Sequence, residues 1–329
     1  MTAPSVLRRF RNAPILVVGD VMLDEYIFGV VERISPEAPV PIVRMAKRSH
    51  RLGGAANVAA NVASLGGMCT TVGLVGQDSA AQELRRLCRE RGLTTRGLLP
   101  LAGIPTIRKT RVIAQHQQLL RVDAEENHSS AQVGTTLRRR AIRAVAKHSA
   151  VVISDYGKGV ITEDLVTALI SACQHHNVRI IVDPKAGHFP LYTGVDIVTP
   201  NHHEAGDACG IPIVDRESLL AAGKRLLEIT GSKAVLITRG PEGMSLFRRD
   251  HRPVHIATDA LEVYDVSGAG DTVVATLALA LATGHDLEIA SRLANRAAGI
   301  VVGKLGTAAV MPQELAASLR KRPLQKPHR

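Results

Sequence analysis

Short apolar runs rich in β-branched residues alternate along this chain with longer amphipathic segments. The runs are each long enough for one buried strand, and they cover residues 15–19, 72–75, 150–154, 179–183, 197–199 and 234–238. Helical patterns lie between several of them, at residues 55–65, 80–91, 162–176 and 218–230. This alternation is typical of a parallel sheet covered by helices on both faces. We therefore predict an α/β fold, a three-layer αβα sandwich with a mainly parallel central sheet.

Two segments depart from this alternation of strand and helix patterns. Residues 35–41 read Ser-Pro-Glu-Ala-Pro-Val-Pro, and prolines at this density exclude a helix and restrict any strand to a sheet edge. Residues 106–123 alternate polar and apolar side chains, as an exposed antiparallel pair does. We predict a small β-sheet built from about 24–48 and 105–124. No interdomain linker is evident, so residues 1–329 are expected to form one domain, with a disordered basic tail at 320–329.

Composition narrows the class of protein. Four cysteines lie far apart with no CxxC pair, which argues against a zinc site or a disulfide scaffold. The longest apolar stretch, residues 273–282, is too short to span a bilayer. The net charge of +11 is spread over helix faces, and aromatic residues make up only 2%. We expect a cytoplasmic protein that uses an anionic small molecule and binds neither nucleic acid nor membrane.

The most informative motif is Asp-Val-Ser-Gly-Ala-Gly-Asp-Thr at residues 265–272, directly before an apolar helical segment. Glycines at a helix start leave backbone N–H groups accessible at the positive end of the helix dipole, where an anion binds. Asp271 is oddly placed for anion binding alone, but it suits a general base beside a phosphoryl group in transfer. The alternative is that Ser267 or Asp271 only caps the helix.

A second motif, Gly-Gly-Ala-Ala-Asn, occupies residues 53–57. Paired glycines allow close approach of the backbone, and Asn57 offers both a donor and an acceptor to a hydroxylated ligand. Small residues in a first helical turn also serve tight packing against a sheet, so this motif is weak when taken alone.

Together the two motifs resemble the two signatures of the ribokinase-like (PfkB) sugar kinases. Further matches follow in the family's order: residues 19–24 after the first strand, Asn-His-His-Glu at 201–204, and Thr-Arg-Gly-Pro-Glu-Gly at 238–243. The resemblance covers residues 15–312. It implies phosphoryl transfer from ATP to a sugar hydroxyl, with the small sheet acting as a lid that excludes water.

The resemblance also assigns roles to residues. It implies that Asp271 is the base and that the N–H groups of Gly268, Ala269 and Gly270 form the anion hole. It further implies a nucleotide and metal site, in which Glu204 organises Mg²⁺ through water and the remaining residues contact ATP: Asn201, Thr238, Gly240, Gly243 and Asn295. Asp265 matches a position where some members hold a monovalent cation such as K⁺.

On the sugar side, the resemblance implies contacts from Asp20, Asp24, Gly53, Gly54 and Asn57. The residues around Asp20 and Met22 depart from ribokinase itself, which argues against plain ribose. Several short sequence segments resemble those of the family members that phosphorylate the C1 hydroxyl of D-glycero-β-D-manno-heptose 7-phosphate. This reaction lies on the route to ADP-heptose and the lipopolysaccharide core. These segments are residues 33–41, 117–123, 154–159, 183–185 and 303–307.

A sugar that already carries a phosphate needs a cationic clamp. Arg108, Lys109 and Arg111 crowd the predicted small sheet, and arginine and lysine suit phosphate recognition. The alternative is an exposed basic edge strand that discourages aggregation. Lys185 could serve either ATP or the sugar phosphate, and Asp155 and Lys158 are candidates to line the sugar site.

Other functions remain open at this point. The chain could phosphorylate another sugar phosphate, or it could be a catalytically silent sugar-binding regulator. A dinucleotide-dependent oxidoreductase is disfavoured because no GxGxxG follows the first strand. Relatives with a flat lid often pair their lids, so we expect a homodimer formed through the small sheet.

Overall fold

A computed structural model describes residues 3–115, 117–126, 130–260, 262–304 and 306–321. Within these ranges the apolar runs form one nine-stranded sheet, the main sheet. Its strands are β1 (Pro14–Gly19), β4 (Met68–Val75), β5 (Leu98–Pro100), β8 (Ala150–Ser154), β9 (Arg179–Asp183), β10 (Ile197–Val198), β11 (Ala234–Thr238), β12 (Met244–Arg248) and β13 (Val254–Ile256). The four remaining strands form the small sheet: β2 (Val21–Ile34), β3 (Pro41–Gly54), β6 (Arg108–Ala114) and β7 (Gln117–Ala124).

The main sheet has the strand order β13-β12-β11-β10-β9-β8-β1-β4-β5. All neighbouring pairs are parallel except β11 with β12 and β12 with β13. The predicted strands at 15–19, 150–154, 179–183 and 234–238 lie in its centre. The antiparallel edge was not predicted, because nothing in its sequence stands out from the surrounding residues.

Helices cover both faces of the main sheet. They are α1 (Ala3–Phe10), α2 (Ala55–Ser64), α3 (Ser79–Glu90), α4 (Ser130–Val145, broken at Gly134), α5 (Glu163–His176), α6 (His202–Cys209), α7 (Arg216–Thr230), α8 (Ala269–Ala282), α9 (Leu287–Val301) and α10 (Pro312–Lys321). Alternate residues of β1 enter two separate cores: Ile15 and Val17 pack with α2, α8 and α9, whereas Leu16 and Val18 pack with α4, α5 and α7. The predicted three-layer α/β fold is confirmed.

The small sheet has the order β3-β2-β6-β7. Pro36 and Pro39 fall at the turn between β2 and β3, and Pro41 is the first residue of β3. Residues 106–123 provide the antiparallel pair of β6 and β7, as predicted. Strand β7 is exposed along most of its length, unlike the fully buried centre of the main sheet.

Two further expectations concern the ends of elements. Helix α10 continues to Lys321, so the predicted tail begins inside a helix, and residues 322–329 lie outside the described residues. Leu305, within the 303–307 segment, also lies outside them. Across the described ranges, no helix combines the length and apolarity needed to cross a membrane.

Candidate active site

The carboxyl ends of the parallel strands meet at one edge of the main sheet, where α/β proteins bind their ligands. Asp20 follows β1, Asp155 follows β8, and Asp183 ends β9. Asn201 and Thr238 are paired across the ends of β10 and β11. The motif at 265–272 forms the turn before α8 and the first residues of that helix, and it contributes to the same cleft. The topology thus brings together polar residues that are far apart in the chain.

Asp271 lies in the first turn of α8 and is 3% exposed. One carboxylate oxygen accepts from Nδ2 of Asn57 at 2.8 Å, and the other accepts from the hydroxyl of Tyr156 at 2.8 Å. The helix begins at Gly268 with no side-chain cap, so Asp271 is not a capping residue. Burial raises the pKa of Asp271 to about 7, although the two donors act in the opposite direction.

The turn before α8 presents unpaired backbone donors. Gly268 has a φ of 77°, and a Cβ atom there would lie 2.7 Å from Nδ2 of Asn57, so only glycine fits. Within the described residues, the N–H groups of Gly268, Gly270 and Asp271 have no acceptor, whereas Ala269 donates to the carbonyl of Val266 at 3.2 Å. Two of the three predicted anion-hole donors are therefore free, and the third is already engaged.

A largely apolar cavity adjoins these donors. It gathers four of the residues predicted from sequence to contact the nucleotide, together with Gly270 and apolar side chains from α8, α9 and the loop before α8; the four are Thr238, Gly240, Gly243 and Asn295. Asn295 uses its Nδ2 to hold the adjacent loop, donating to the carbonyl of Ala257 at 2.9 Å and to Asp259 at 3.1 Å. The lining of the cavity is mainly apolar, and it includes Gly270, whose free N–H group can bind an anion.

Two carboxylates lie close enough to interact electrostatically, Asp183 at the end of β9 and Glu204 in the first turn of α6. Glu204 accepts from the backbone N–H of Asn201 at 2.9 Å, and the side chain of Asn201 accepts from the backbone of Glu204 at 2.9 Å, so the pair caps α6. Asp183 was not singled out from sequence. Burial, and then the charges of Asp271 and Glu204, raise its pKa well above the usual range.

This pair fits a magnesium site. Among the described residues no three His, Cys, Asp or Glu side chains are clustered in the manner of a protein-only metal site. Mg²⁺ needs no such cluster, since it is commonly held by one or two carboxylates, water and the phosphates of a nucleotide. Asp183 and Glu204 are two such carboxylates. Burial raises the pKa of Glu204 above its usual range, and the backbone N–H of Asn201 and the charge of Lys185 act in the opposite direction.

Asp20 does not face the open cleft. It is fully buried, and its carboxylate accepts three backbone N–H groups, from Tyr156 at 2.9 Å, Lys158 at 3.1 Å and Val160 at 3.1 Å. Burial nevertheless raises its pKa to about 6. The expectation that Asp20 contacts the sugar is therefore corrected: Asp20 fixes the loop at residues 155–160, which delivers Tyr156 to Asp271.

Asp155 requires the same correction. One oxygen accepts from the hydroxyl of Tyr192 at 2.7 Å and pairs with Nδ1 of His188 at 2.8 Å. The other accepts from the backbone N–H of Gly157 at 2.7 Å. Both oxygens are thus engaged within the protein, and Asp155 shapes the loop rather than lining the cleft.

One face of the small sheet looks into the cleft. Side chains alternate along a strand, so Asp24 and Tyr26 of β2 share this face with Lys109 and Arg111 of β6. Arg111 donates to Asp24 at 2.6 Å, and its guanidinium lies 5.4 Å from the ring centre of Tyr26. Arg51 of β3 lies 5.3 Å from the same ring. Neither Arg51 nor Tyr26 had been singled out from sequence.

Arg108 lies on the opposite face. Its Nε is 3.9 Å from Glu25, whose carboxylate also accepts from the hydroxyl of Thr110 at 2.6 Å. A clamp of Arg108, Lys109 and Arg111 is therefore impossible on one face, because consecutive residues of a strand point to opposite sides. The clamp prediction is corrected for Arg108.

The remaining predicted residues support the backbone. Gly53 lies against Asp24, since a Cβ atom there would be 2.6 Å from Oδ2, and Gly54 has a φ of 54° beside the carbonyl of Asp20. Asp265 accepts from the backbone N–H groups of Ser267 and Gly306, both at 2.8 Å, and so ties the turn before α8 to residues 306–307.

Comparison with known proteins agrees with this geometry. The sequence matches the pfkB family of carbohydrate kinases over residues 12–314. It is 48% identical to the D-beta-D-heptose 7-phosphate kinase of Bordetella bronchiseptica, over 94% of this chain and 96% of that protein. It is 47% identical to the bifunctional protein HldE of Nitrosococcus oceani, over 97% of this chain, and 44% identical to that of Pelobacter propionicus, over 94%. The chain spans 67% and 64% of the lengths of these two bifunctional relatives.

Solved structures share the fold at lower identity. Arabidopsis thaliana ribokinase, complexed with ribose and ATP, has a TM-score of 0.77 at 22% identity, covering 94% of this chain and 99% of that one. Phosphofructokinase-2 from Escherichia coli has a TM-score of 0.75 at 19% identity, with the same coverage. Because the family match spans nearly all of the described chain, this protein belongs to the pfkB family of carbohydrate kinases.

Proposed function

We propose that this chain transfers the γ-phosphoryl group of ATP to the C1 hydroxyl of D-glycero-β-D-manno-heptose 7-phosphate. The product would be the 1,7-bisphosphate, a precursor of ADP-heptose for lipopolysaccharide. The observation that carries the chemistry is the position of Asp271, a buried carboxylate beside the free N–H groups of Gly268 and Gly270. The name of the full-length relative from Bordetella bronchiseptica supports the choice of sugar.

Asp271 is the proposed general base. With a pKa of about 7 it is substantially ionised at neutral pH, yet basic enough to accept a proton from a sugar hydroxyl. Asn57 and Tyr156 fix the orientation of its carboxylate. The free N–H groups at the start of α8 then stabilise the negative charge on the phosphoryl oxygens during transfer.

ATP and Mg²⁺ are the proposed cofactors. The apolar cavity beside α8 would hold the adenine, with the phosphates directed past Thr238 and Gly240 towards the free N–H groups. Asp183 and Glu204 would hold Mg²⁺ through water. When bound, this cation neutralises charge on the nucleotide phosphates. Binding of K⁺ at Asp265 remains a separate prediction, as does a contact between Lys185 and the ATP phosphates.

The small sheet is the proposed lid and sugar site. Asp24 and Asn57 would bind sugar hydroxyls, and the cations on the cleft face would bind the phosphate of the acceptor. Closure of the lid would exclude water, which otherwise accepts the phosphoryl group. Both sheets together would form one kinase domain, working in the cytoplasm.

The small sheet also supports a homodimer. Its strands and the turn between β2 and β3 expose apolar side chains at Val30, Ile34, Val40, Met45, Leu119, Leu120 and Val122. Exposed apolar side chains gathered on one small sheet are candidates for a protein contact. We propose that a second copy of the chain covers them.

The experiment that tests the function is ADP release from Mg-ATP across a panel of sugars. The panel contains heptose 7-phosphate, fructose 1-phosphate, fructose 6-phosphate, tagatose 6-phosphate and ribose. Strong selectivity for the heptose phosphate supports the proposal. Turnover with a different sugar would support the kinase activity but reject heptose 7-phosphate as the substrate. No turnover with any sugar would favour a catalytically silent sugar-binding regulator.

A further inference from the structure

Glu125 connects two lysines that come from different parts of the molecule. It directly follows β7, and its two carboxylate oxygens contact Lys109 of the small sheet at 3.4 Å and Lys158 of the main body at 2.5 Å. The lysine side chains are only 14% and 19% exposed. These three residues, named here the Glu125 cluster, form an ionic contact between the two sheets.

The cluster lies at the edge of the proposed sugar site. Lys109 is paired with Asp24 in the register of β2 and β6, on the face that looks into the cleft. Lys158 lies two residues after Tyr156, which contacts Asp271, and the backbone of both is held by Asp20. A ligand that reaches from Asp271 along the small sheet therefore meets the cluster.

The two ammonium groups converge on one anionic group. Burial acts to raise the pKa of Glu125, but Lys158 and Lys109 together lower it below the usual range. Asp123 also contacts Lys109, at 3.2 Å, so Lys158 depends on Glu125 more than Lys109 does. A phosphate offers the same lysines more negative charge and more acceptor oxygens than a carboxylate does.

We propose that Glu125 is a specificity-determining residue whose carboxylate occupies the position of the acceptor's phosphate between Lys109 and Lys158. The phosphate displaces the carboxylate when the sugar binds. A sugar without a phosphate leaves the ion pairs of Glu125 intact and gains no binding free energy from the two lysines. The Glu125 cluster thus selects phosphorylated acceptors by exchange of one anion for another. This proposal rests on the proposed function, because it assumes an acceptor that carries a phosphate.

The test uses Glu125→Gln, with inorganic phosphate as the probe. Removal of the competing negative charge should increase the thermal stabilisation by inorganic phosphate. It should also lower the inhibition constant of phosphate against the sugar phosphate, by about fivefold, as expected for a partly shielded charge pair. The KM for heptose 7-phosphate should fall by a similar factor, and the KM for unphosphorylated heptose should not change.

Two further variants give the proposal matched comparisons. Glu126→Gln makes the same charge change at the next residue, which is exposed and forms no ion pair within the described part of the chain. It should behave as wild type in every assay. Lys158→Met keeps the length of the side chain without its charge, and it should weaken stabilisation by phosphate.

The outcomes separate this inference from the proposed function. Equal phosphate effects in Glu125→Gln, Glu126→Gln and wild type would overturn the inference. So would a KM change in Glu125→Gln that is the same for phosphorylated and unphosphorylated sugars. Because binding of inorganic phosphate is measured without turnover, it reports on the cluster even if the sugar panel rejects heptose 7-phosphate.

Discussion

The main sheet and the small sheet are built in opposite ways. The centre of the main sheet is parallel, buried on both faces and covered by helices. Asp183 ends one of its strands, and the first turns of α6 and α8 hold Glu204 and Asp271. The small sheet is mainly antiparallel, has an exposed outer strand β7 and presents charged side chains to the cleft. The main sheet and its helices hold the catalytic groups in fixed positions. The small sheet provides a surface whose side chains can differ without moving those groups.

This difference suggests that the main body carries out catalysis and that the small sheet selects the acceptor. Phosphoryl transfer depends on the positions of a base, a metal and backbone donors, which a rigid and buried framework holds best. Choice of the acceptor depends on a few side chains that contact it. Substitutions of the base and of the groups that fix it should therefore mainly alter kcat, whereas substitutions on the cleft face of the small sheet should mainly alter the KM of the sugar.

The largest expected effect is that of Asp271→Asn in the main body. Loss of the base should reduce kcat by about a thousandfold or more, within the usual range for general base catalysis. ATP affinity should change little, because the nucleotide cavity is not formed by this side chain. Steady-state kinetics and a direct measurement of ATP binding check both parts. A variant that keeps near-normal turnover would remove Asp271 from the mechanism.

The next effect concerns the small sheet. Arg111→Ala should raise the KM of the sugar phosphate roughly tenfold to a hundredfold, as for loss of a hydrogen bond from a charged group, with a smaller change in kcat. Arg108→Ala is the matched control on the opposite face, and it should stay within about twofold of wild type. If the two variants have equal effects, or if Arg111→Ala changes only ATP affinity, the assignment of the cleft face is wrong.

The smallest effect is a shift in pH dependence. The hydroxyl of Tyr156 donates to Asp271 and so lowers its pKa, against the larger effect of burial. Tyr156→Phe removes this donor and should raise the pKa further. Because the base acts when deprotonated, the acid limb of the profile of kcat/KM against pH should move to higher pH, by about one unit. Tyr264→Phe, at an exposed tyrosine, should leave the limb in place.

Much of the main body was predictable from sequence, because its local patterns agree with its tertiary structure. Apolar runs of strand length separated by amphipathic segments specify the parallel sheet, and the motif at 265–272 places Asp271 at the start of a helix. The hydrogen-bond partners of Asp271 were harder to predict from sequence. Tyr156 is 115 residues away in the chain, and no local pattern shows that its hydroxyl reaches the carboxylate.

The small sheet shows where reasoning from sequence failed. Arg108, Lys109 and Arg111 were grouped by proximity in the chain, but the alternation of a strand separates Arg108 from the other two. Asp20 and Asp155 matched motif positions, yet their oxygens are used by other groups of the protein. Backbone N–H groups of residues 156–160 bind both carboxylates, and Tyr192 and His188 also bind Asp155. Asp183 could have been found as a carboxylate at the end of a buried strand, beside Lys185.

The most direct test of the account is the structure of the product made from heptose 7-phosphate and Mg-ATP, determined by phosphorus and proton correlation NMR. We predict a bisphosphate whose new phosphorus atom couples to the anomeric proton, formed together with one equivalent of ADP. Phosphorylation at another hydroxyl, or release of inorganic phosphate alone, would contradict the proposed alignment of Asp271, the acceptor and the small sheet.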